Sequence, residues 1–558
     1  MWNSLNKIRN SYGIYFLFIV LSLLIFYPTR NGGMVTDFTG WMLRYRAGGF
    51  TDIATCFGFP SLHQAFHLLN YSFYKIVGMD PFAWYFLYAI LHGINTGLLF
   101  RLTDIWRKRW RQHSSIIYPL AAAFLFLISP YQVEVVVWKV CIHYLLSTAY
   151  TLGALLVLIR YLERKKKAYL LLHHALVITG MFTLEIGLAA PFIFLVFIIA
   201  DYYHVKEQVS PLQRTLKYVF LPQLVFLIIY FLLNKLILGD WVGHYGAEKH
   251  LIFSPLILVS HGWQYFAKYL GNLHFLPLDS KTFLYAYLAR PLVSYSLLIV
   301  AVSCLISGVL YYRKLSPNVK IGGVSLLMFF MALFPIINLY FLHTMPYEND
   351  RYGYYASPYF YLFVVSFIFN VPRAFRYAFL FWYIVWQGFL LGSMIKDANS
   401  TSHMTAGLLE NFPCEKVEGK SVFLLGLPDN YRGHPMFRDF SGRAEAFHES
   451  LDLFYDRTVC SRAEIYDIMQ YNMTNDDSAL NAYYETPDRI KVFFAQDGTW
   501  FWRNSIGATS YETEEYRVEL KGWYYLLHLK KEQDNAIFLY PDGDRWVEVE
   551  HRFYKDHH

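Results

Sequence analysis

Residues 82–111 read FAWYFLYAILHGINTGLLFRLTDIWRKRWR, an apolar run over 82–100 followed by Arg101, Arg107, Lys108, Arg109 and Arg111. Wound as a helix, such a run covers roughly the 30 Å of a bilayer's hydrocarbon. A basic cluster directly behind it holds that end on the cytoplasmic side. The couplet repeats along the chain. Further apolar runs lie near 12–28, 116–131, 135–159, 168–184, 186–200, 217–238, 291–312, 321–342, 358–371 and 375–395. If the N-terminus is inside, every even-numbered connection is basic: after the cluster above come Arg160 with Arg164 to Lys167, Lys206 with Arg214 and Lys217, Arg313 with Lys314 and Lys320, and Arg373 with Arg376. The sequence therefore predicts a polytopic α-helical membrane protein of about eleven spans, N-terminus cytoplasmic, with the tail on the outer side. Lys7 and Arg9 precede the apolar run Ile14 to Tyr27 and no small-residue cleavage site follows, so the first span reads as a retained anchor.

Composition agrees. Of 558 residues, 55% are hydrophobic, 20% aromatic and only 16% charged, against roughly 25% charged in soluble domains. The net charge of +7 is gathered in short connections rather than in a stripe, which excludes a nucleic-acid surface. The cysteines are Cys56, Cys141, Cys304, Cys414 and Cys460, without a CxxC pair or a Cys/His spacing for zinc, and no metal ligand set is read from them. Cys414 and Cys460 fall in the polar tail, where a disulfide and two free thiols are both compatible with the sequence.

Two outer connections are long. Over 29–81, Leu62, Phe66, Leu69, Phe73 and Ile76 recur at helical spacing, with His63, His67, Asn70 and Tyr74 on a second face, which predicts a helix lying in the interface. Over 239–290, Pro255 to Leu270 is interrupted by His261, Gly262, Gln264 and Lys268. As a span it would invert the side of every later basic connection, so it is read as non-spanning. The expected division is 1–396 for the membrane domain and 397–558 for a soluble α+β domain, with strand-like runs Ser421 to Leu427, Arg489 to Ala495 and Ala536 to Tyr540 and turns at Asp497-Gly498 and Pro541-Asp542-Gly543.

Ionisable residues at the edge of hydrocarbon cost roughly 2–3 kcal/mol and so need a reason. On the predicted topology Asp37, Glu134, Glu185 and Arg351 all lie at the outer side. A carboxylate there can accept a proton from a hydroxyl, and an arginine can hold a phosphate through two parallel hydrogen bonds. Each has a plainer reading: Asp37 as a solvated loop acid, Glu134 and Glu185 as helix ends, Arg351 as the local partner of Glu348 or Asp350, and His63 and His67 as the wet face of the interfacial helix. His92, inside the second run, is read as an interhelical hydrogen bond.

Several segments carry a resemblance. Phe59-Pro60-Ser61-Leu62-His63 through Leu68-Leu69-Asn70, with Leu91-His92-Gly93-Ile94-Asn95, resembles the first loop and second span of polyprenol-phosphate-dependent glycosyltransferases of the GT-C class. Ser129-Pro130-Tyr131-Gln132-Val133-Glu134 through Trp138, then Leu184-Glu185-Ile186-Gly187-Leu188, is similar to connections of the O-mannosyltransferases that carry tetratricopeptide repeats. Phe266-Ala267-Lys268-Tyr269-Leu270 with Leu276-Pro277-Leu278, and Asp350-Arg351-Tyr352-Gly353-Tyr354, continue the likeness in order over residues 12 to 390. The tail lacks the repeats; its segment Leu427-Pro428-Asp429-Asn430-Tyr431-Arg432-Gly433 looks like one in tails of bacterial membrane glycosyltransferases.

The resemblance implies an inverting glycosyltransferase of a bacterial inner membrane, moving a sugar from a polyprenyl phosphate or diphosphate carrier to a hydroxyl on a protein, lipid or glycan at the outer, periplasmic face. It implies Asp37 as the catalytic base, Arg351 and Lys268 as ligands of the carrier phosphate, and Glu134, Glu185, His63, His67 and Tyr352 lining the acceptor and donor pocket. The family often shows a second acid beside the first. Phe38 stands there in this chain, which leaves a divalent cation open as cofactor. The competing class is a lipid or solute transporter or flippase with an outer sensing domain, which calls for inverted repeats and matched broken helices. No repeat is apparent in the sequence.

Overall fold

The computed structural model describes residues 12–55, 62–110, 115–205, 212–241, 254–337, 350–437, 445–455, 463–473, 480–493, 499–501, 510–530 and 535–549. The chain forms two compact units. The first comprises Met1–Arg30, Gly49–Val136 and Cys141–Met394; the second comprises Asn31–Gly48, Val137–Val140 and Ile395–His558.

The first unit is a helical, polytopic region of an integral membrane protein. Among the described residues six helices are long and apolar enough to cross a bilayer: Pro81–Arg109, Ile142–Arg164, Glu185–His204, Leu212–Leu238, Pro291–Leu310 and Arg373–Glu410, the last of which ends in the second unit. Ile117–Leu127 and Pro130–Val137, bent by 54° at their junction, make a seventh if they count as one span. The bend falls at Ser129-Pro130, where proline has no N–H to continue the ladder. Each of the eleven predicted runs overlaps a helix, but the others are short: Gly13–Thr29, Lys167–Met181, Pro317–Leu333 and Ser357–Ile368 have 17 residues or fewer. At about 1.5 Å per residue they fall short of roughly 30 Å of hydrocarbon.

Helix contacts follow small residues and interhelical hydrogen bonds, because lipid offers apolar side chains no worse an environment than another helix does. Gly93 and Gly97, one turn apart, let Pro81–Arg109 close on Gly13–Phe26: a Cβ on Gly93 would stand 2.6 Å from the Ile19 backbone, and one on Gly97 2.5 Å from the Tyr15 ring. His92 Nε2 donates to the Leu127 carbonyl (3.2 Å), so its Nδ1 accepts from the Tyr354 hydroxyl (2.9 Å), which in turn accepts from Asn95 (3.1 Å). His92 is thus the interhelical bond its sequence position predicts. On Pro291–Leu310, Leu292, Ile299, Val309 and Leu310 are exposed, a surface suited to lipid chains.

The second unit is a mixed α/β domain in layers. Its central sheet has the order Arg545–Glu548, Ala536–Asp542, Ser421–Leu424, Glu464–Asp467, the last three strands parallel. Strand alternation sends Val422, Leu424, Ile465, Ile537 and Leu539 to one face, against Leu408, Leu409, Phe412 and the helix Glu445–Tyr455. Phe423, Leu425 and Phe538 face the other way, onto a five-stranded antiparallel sheet that supplies Ile490, Val492, Val518, Tyr525 and Leu527. A third sheet pairs Leu427–Tyr431 with His434–Pro435 and Gln470–Met473, the latter also bonded to Thr499–Phe501. The turn predicted at Pro541-Asp542-Gly543 falls at Gly543-Asp544, with Pro541 and Asp542 still paired in the strand, and closes the hairpin between Ala536–Asp542 and Arg545–Glu548, while Asp497-Gly498 lies outside the described residues. Cys414 is disulfide-bonded; Cys460 lies outside the described residues.

Candidate functional site

The first unit gathers most of the residues singled out from the sequence. After the break at Pro130 the chain restarts as the short helix Val133–Val137, and Glu134 in its first turn is buried. Arg351 meets it from 217 residues away: its Nη1 donates to Glu134 Oε1 at 2.5 Å and its backbone N–H to Oε2 at 2.8 Å. The remaining guanidinium nitrogen, Nη2, donates to the Tyr352 hydroxyl at 3.1 Å. Arg351 thus bonds a carboxylate far off in the chain, and Glu348 lies outside the described residues. A carboxylate taking both a side-chain and a main-chain donor fixes the position of the helix Asp350–Gly353 as well as the charge.

Asp350 pairs with Lys268, both side chains buried. Lys268 sits on the polar face of the helix Pro255–Gly271, beside buried His261, Gln264, Tyr265 and Tyr269. This helix is not among the candidate spans, in keeping with the sequence reading. Tyr131 donates its hydroxyl to the Lys268 carbonyl at 2.6 Å, and the Lys268 ammonium lies 5.6 Å from the Tyr131 ring. Gly353 is required here: a Cβ would sit 2.2 Å from the Tyr269 hydroxyl.

Lys281, on the helix Leu278–Ala289, joins the group and was missed in the sequence. It is fully buried. Burial is the larger influence on its ammonium and lowers its pKa to about 7; Asp350 nearby favours the charged form and Lys268 opposes it. In the sequence it stands among Asp279, Ser280 and Thr282, so nothing local marked it as a buried charge.

A third close contact joins His63 Nε2 and Glu185 Oε2 at 3.0 Å, both side chains about nine-tenths buried. Glu185 opens the turn Glu185–Ala189, and His63 immediately precedes the helix Gln64–Val77. The wet-face reading of that helix is corrected: His63, His67 and Asn70 are buried, whereas Leu69 and Ile76 are exposed. Leu62 and Phe66 are buried beside them, so the inward side of the helix combines polar residues with the start of the apolar row. Ring contacts run from His67 to Phe66 (4.1 Å), to His143 (5.0 Å), and from Tyr144 to Tyr352 (6.1 Å), beside Arg351.

Asp37 belongs to the second unit. It is exposed and opens the helix Asp37–Ala47, where Thr39 Oγ1 lies 3.4 Å from Glu449 Oε2 on the helix Glu445–Tyr455. Thr36, just before it, has φ 55° and ψ −125° with its hydroxyl buried. A β-branched residue in this region costs about 1–3 kcal/mol, a strain typical of functional loops. Among the described residues no three His, Cys, Asp or Glu side chains converge as a metal site.

Comparison with protein-family models, with curated proteins and with solved structures finds no match for this chain.

Proposed function

We propose that the protein is an inverting, GT-C-like glycosyltransferase that takes a sugar from a polyprenyl phosphate or diphosphate and passes it to a hydroxyl acceptor at the outer face of the membrane. On this reading all eleven apolar runs cross or enter the bilayer and the tail is extracytoplasmic. The observation that supports it best is the buried set Lys268, Lys281 and Arg351, three cations interleaved with Asp350 and Glu134 beside membrane-spanning helices. Buried cations in such a place are a functional signal, and guanidinium and ammonium groups are suited to a phosphate. Pairing with Glu134 and Asp350 holds Arg351 and Lys268 in place before the donor arrives, so little reorganisation accompanies the reaction.

In the proposed reaction the acceptor oxygen attacks the anomeric carbon and the bond from that carbon to the carrier phosphate oxygen breaks. The electron pair leaves with the phosphate, whose charge Arg351, Lys268 and Lys281 offset. The step needs a base for the acceptor proton; Asp37, in the second unit, is the candidate from its place in the sequence, with the strained Thr36 before it. Glu185, His63, His67 and Tyr352 shape the donor and acceptor surface.

Purified protein incubated with a panel of polyprenyl-linked sugars and acceptors tests the proposal, with released carrier phosphate read by mass spectrometry. Release is expected from wild type and lost in Arg351→Gln and Asp37→Asn. Transfer of the intact carrier between leaflets of a vesicle, with no release on any acceptor, refutes the transferase reading and favours a flippase.

A further inference from the structure

A second group of cations lies in the first unit, away from the set just described. The helix Ser357–Ile368 starts beside Tyr354 and ends at Phe369, about 18 Å further on. At that end Arg107, in the last turn of Pro81–Arg109, places its guanidinium 3.8 Å over the ring of Tyr118. Tyr118 packs edge-on to Phe369 at 4.9 Å, and Arg376 lies over the Phe369 ring, also at 4.9 Å. Two arginines thus rest on one aromatic shelf, close enough to repel each other.

Arg107 is only 6% exposed, and its Nε and Nη1 have no hydrogen-bond acceptor among the described residues. Arg376 Nη2 donates to the Val371 carbonyl at 3.2 Å, while its Nε is buried and likewise without an acceptor. Asp104, a carboxylate that acts on Arg107 electrostatically, is engaged by Lys108 at 2.7 Å. Stacking satisfies the faces of the guanidiniums but not their N–H edges. Two like charges with unused edges on a rigid platform make a receptor for a doubly accepting anion.

We propose that Arg107 and Arg376 form a site for a phosphate group. Phe367 on Ser357–Ile368, with Phe375 and Phe379 on Arg373–Glu410, the helix of Arg376, are exposed and give an apolar flank where acyl chains can lie, so the favoured source of the phosphate is the headgroup of an anionic phospholipid. The site needs none of the residues assigned to sugar transfer.

Native mass spectrometry of the detergent-purified full chain tests this, titrated separately with dioleoylphosphatidylglycerol and inorganic phosphate. Wild type is expected to retain phosphatidylglycerol, with about tenfold weaker affinity in Arg107→Gln and in Arg376→Gln, each losing one guanidinium contact. Arg107→Lys keeps the charge without the fork and is expected to fall between. Binding of inorganic phosphate with the same dependence on both arginines, without lipid retention, supports the site with a soluble source. Unchanged affinity for both ligands in Arg376→Gln, a half-buried position whose loss leaves Arg107 stacked, overturns it, even if Arg107→Gln does not fold.

Discussion

Glu134→Gln is the sharpest perturbation of the buried pair with Arg351. The wild-type carboxylate accepts two charge-assisted hydrogen bonds, at 2.5 Å and 2.8 Å. The amide keeps one acceptor and loses the charge, leaving a buried guanidinium uncompensated. Breaking one partner of a buried pair costs about 3–5 kcal/mol, and the retained acceptor puts the expected loss near 3 kcal/mol. The double variant Glu134→Gln, Arg351→Met removes the stranded charge and is expected to recover at least half of that loss. The assay is reversible unfolding of the purified protein in mixed micelles, followed by tryptophan fluorescence, for wild type, both single variants and the double. Additive losses refute the reasoning, because they mean that the two residues do not exchange energy across the 217 residues between them. Transfer activity is expected to be absent whenever Arg351 is replaced, stable or not, since the phosphate contact goes with it.

Lys281 carries a pH prediction. Its ammonium titrates at about 7 in the folded chain, below the unfolded value of about 10.4, so the unfolded chain binds more protons between the two and stability rises with pH across that interval. Carrier-phosphate affinity is expected to move the opposite way, falling as pH rises through about 7, and to become independent of pH there in Lys281→Met; a titration of bound carrier from about pH 6 to pH 9 checks it. Glu185→Gln should loosen the start of the helix Gln64–Val77 by about 1–2 kcal/mol, read as faster amide exchange over its first turn. Gly93→Ala should destabilise more than Gly97→Ala, because its new methyl meets the backbone of Ile19 whereas the other meets the Tyr15 ring, which can turn aside; thermal unfolding of the two variants compares them.

Much of the architecture is legible locally. Run length measured against hydrocarbon thickness places the helices, and strand alternation around Ser421–Leu424 and Ala536–Asp542 reveals a two-faced sheet, because both signals repeat within a few residues. Helix positions in the first unit therefore follow the apolar runs, while the number able to cross alone does not. That number depends on how far each helix continues beyond its hydrophobic stretch: Pro81–Arg109 outruns its apolar core, and Ser357–Ile368 stops short. The polar face of Gln64–Val77 shows the same division, since periodicity separates the two faces but only packing decides which turns inward.

Charge partnership was the least legible. Glu134, Arg351, Lys268 and Glu185 are conspicuous in sequence because ions near hydrocarbon are costly, yet their partners lie tens to hundreds of residues distant. Arg351 bonds Glu134 and its neighbour Asp350 pairs with Lys268, because successive side chains on a helix point about 100° apart. Lys281, unmarked by any motif, enters the cationic set only through the packing of Leu278–Ala289. By itself the sequence determined that this chain is built of apolar helices and a tail that mixes strands with helices, because those patterns are short-range. Only the tertiary structure decided which charges meet, because ion-pair geometry depends on a few ångströms of helix placement that no local pattern encodes.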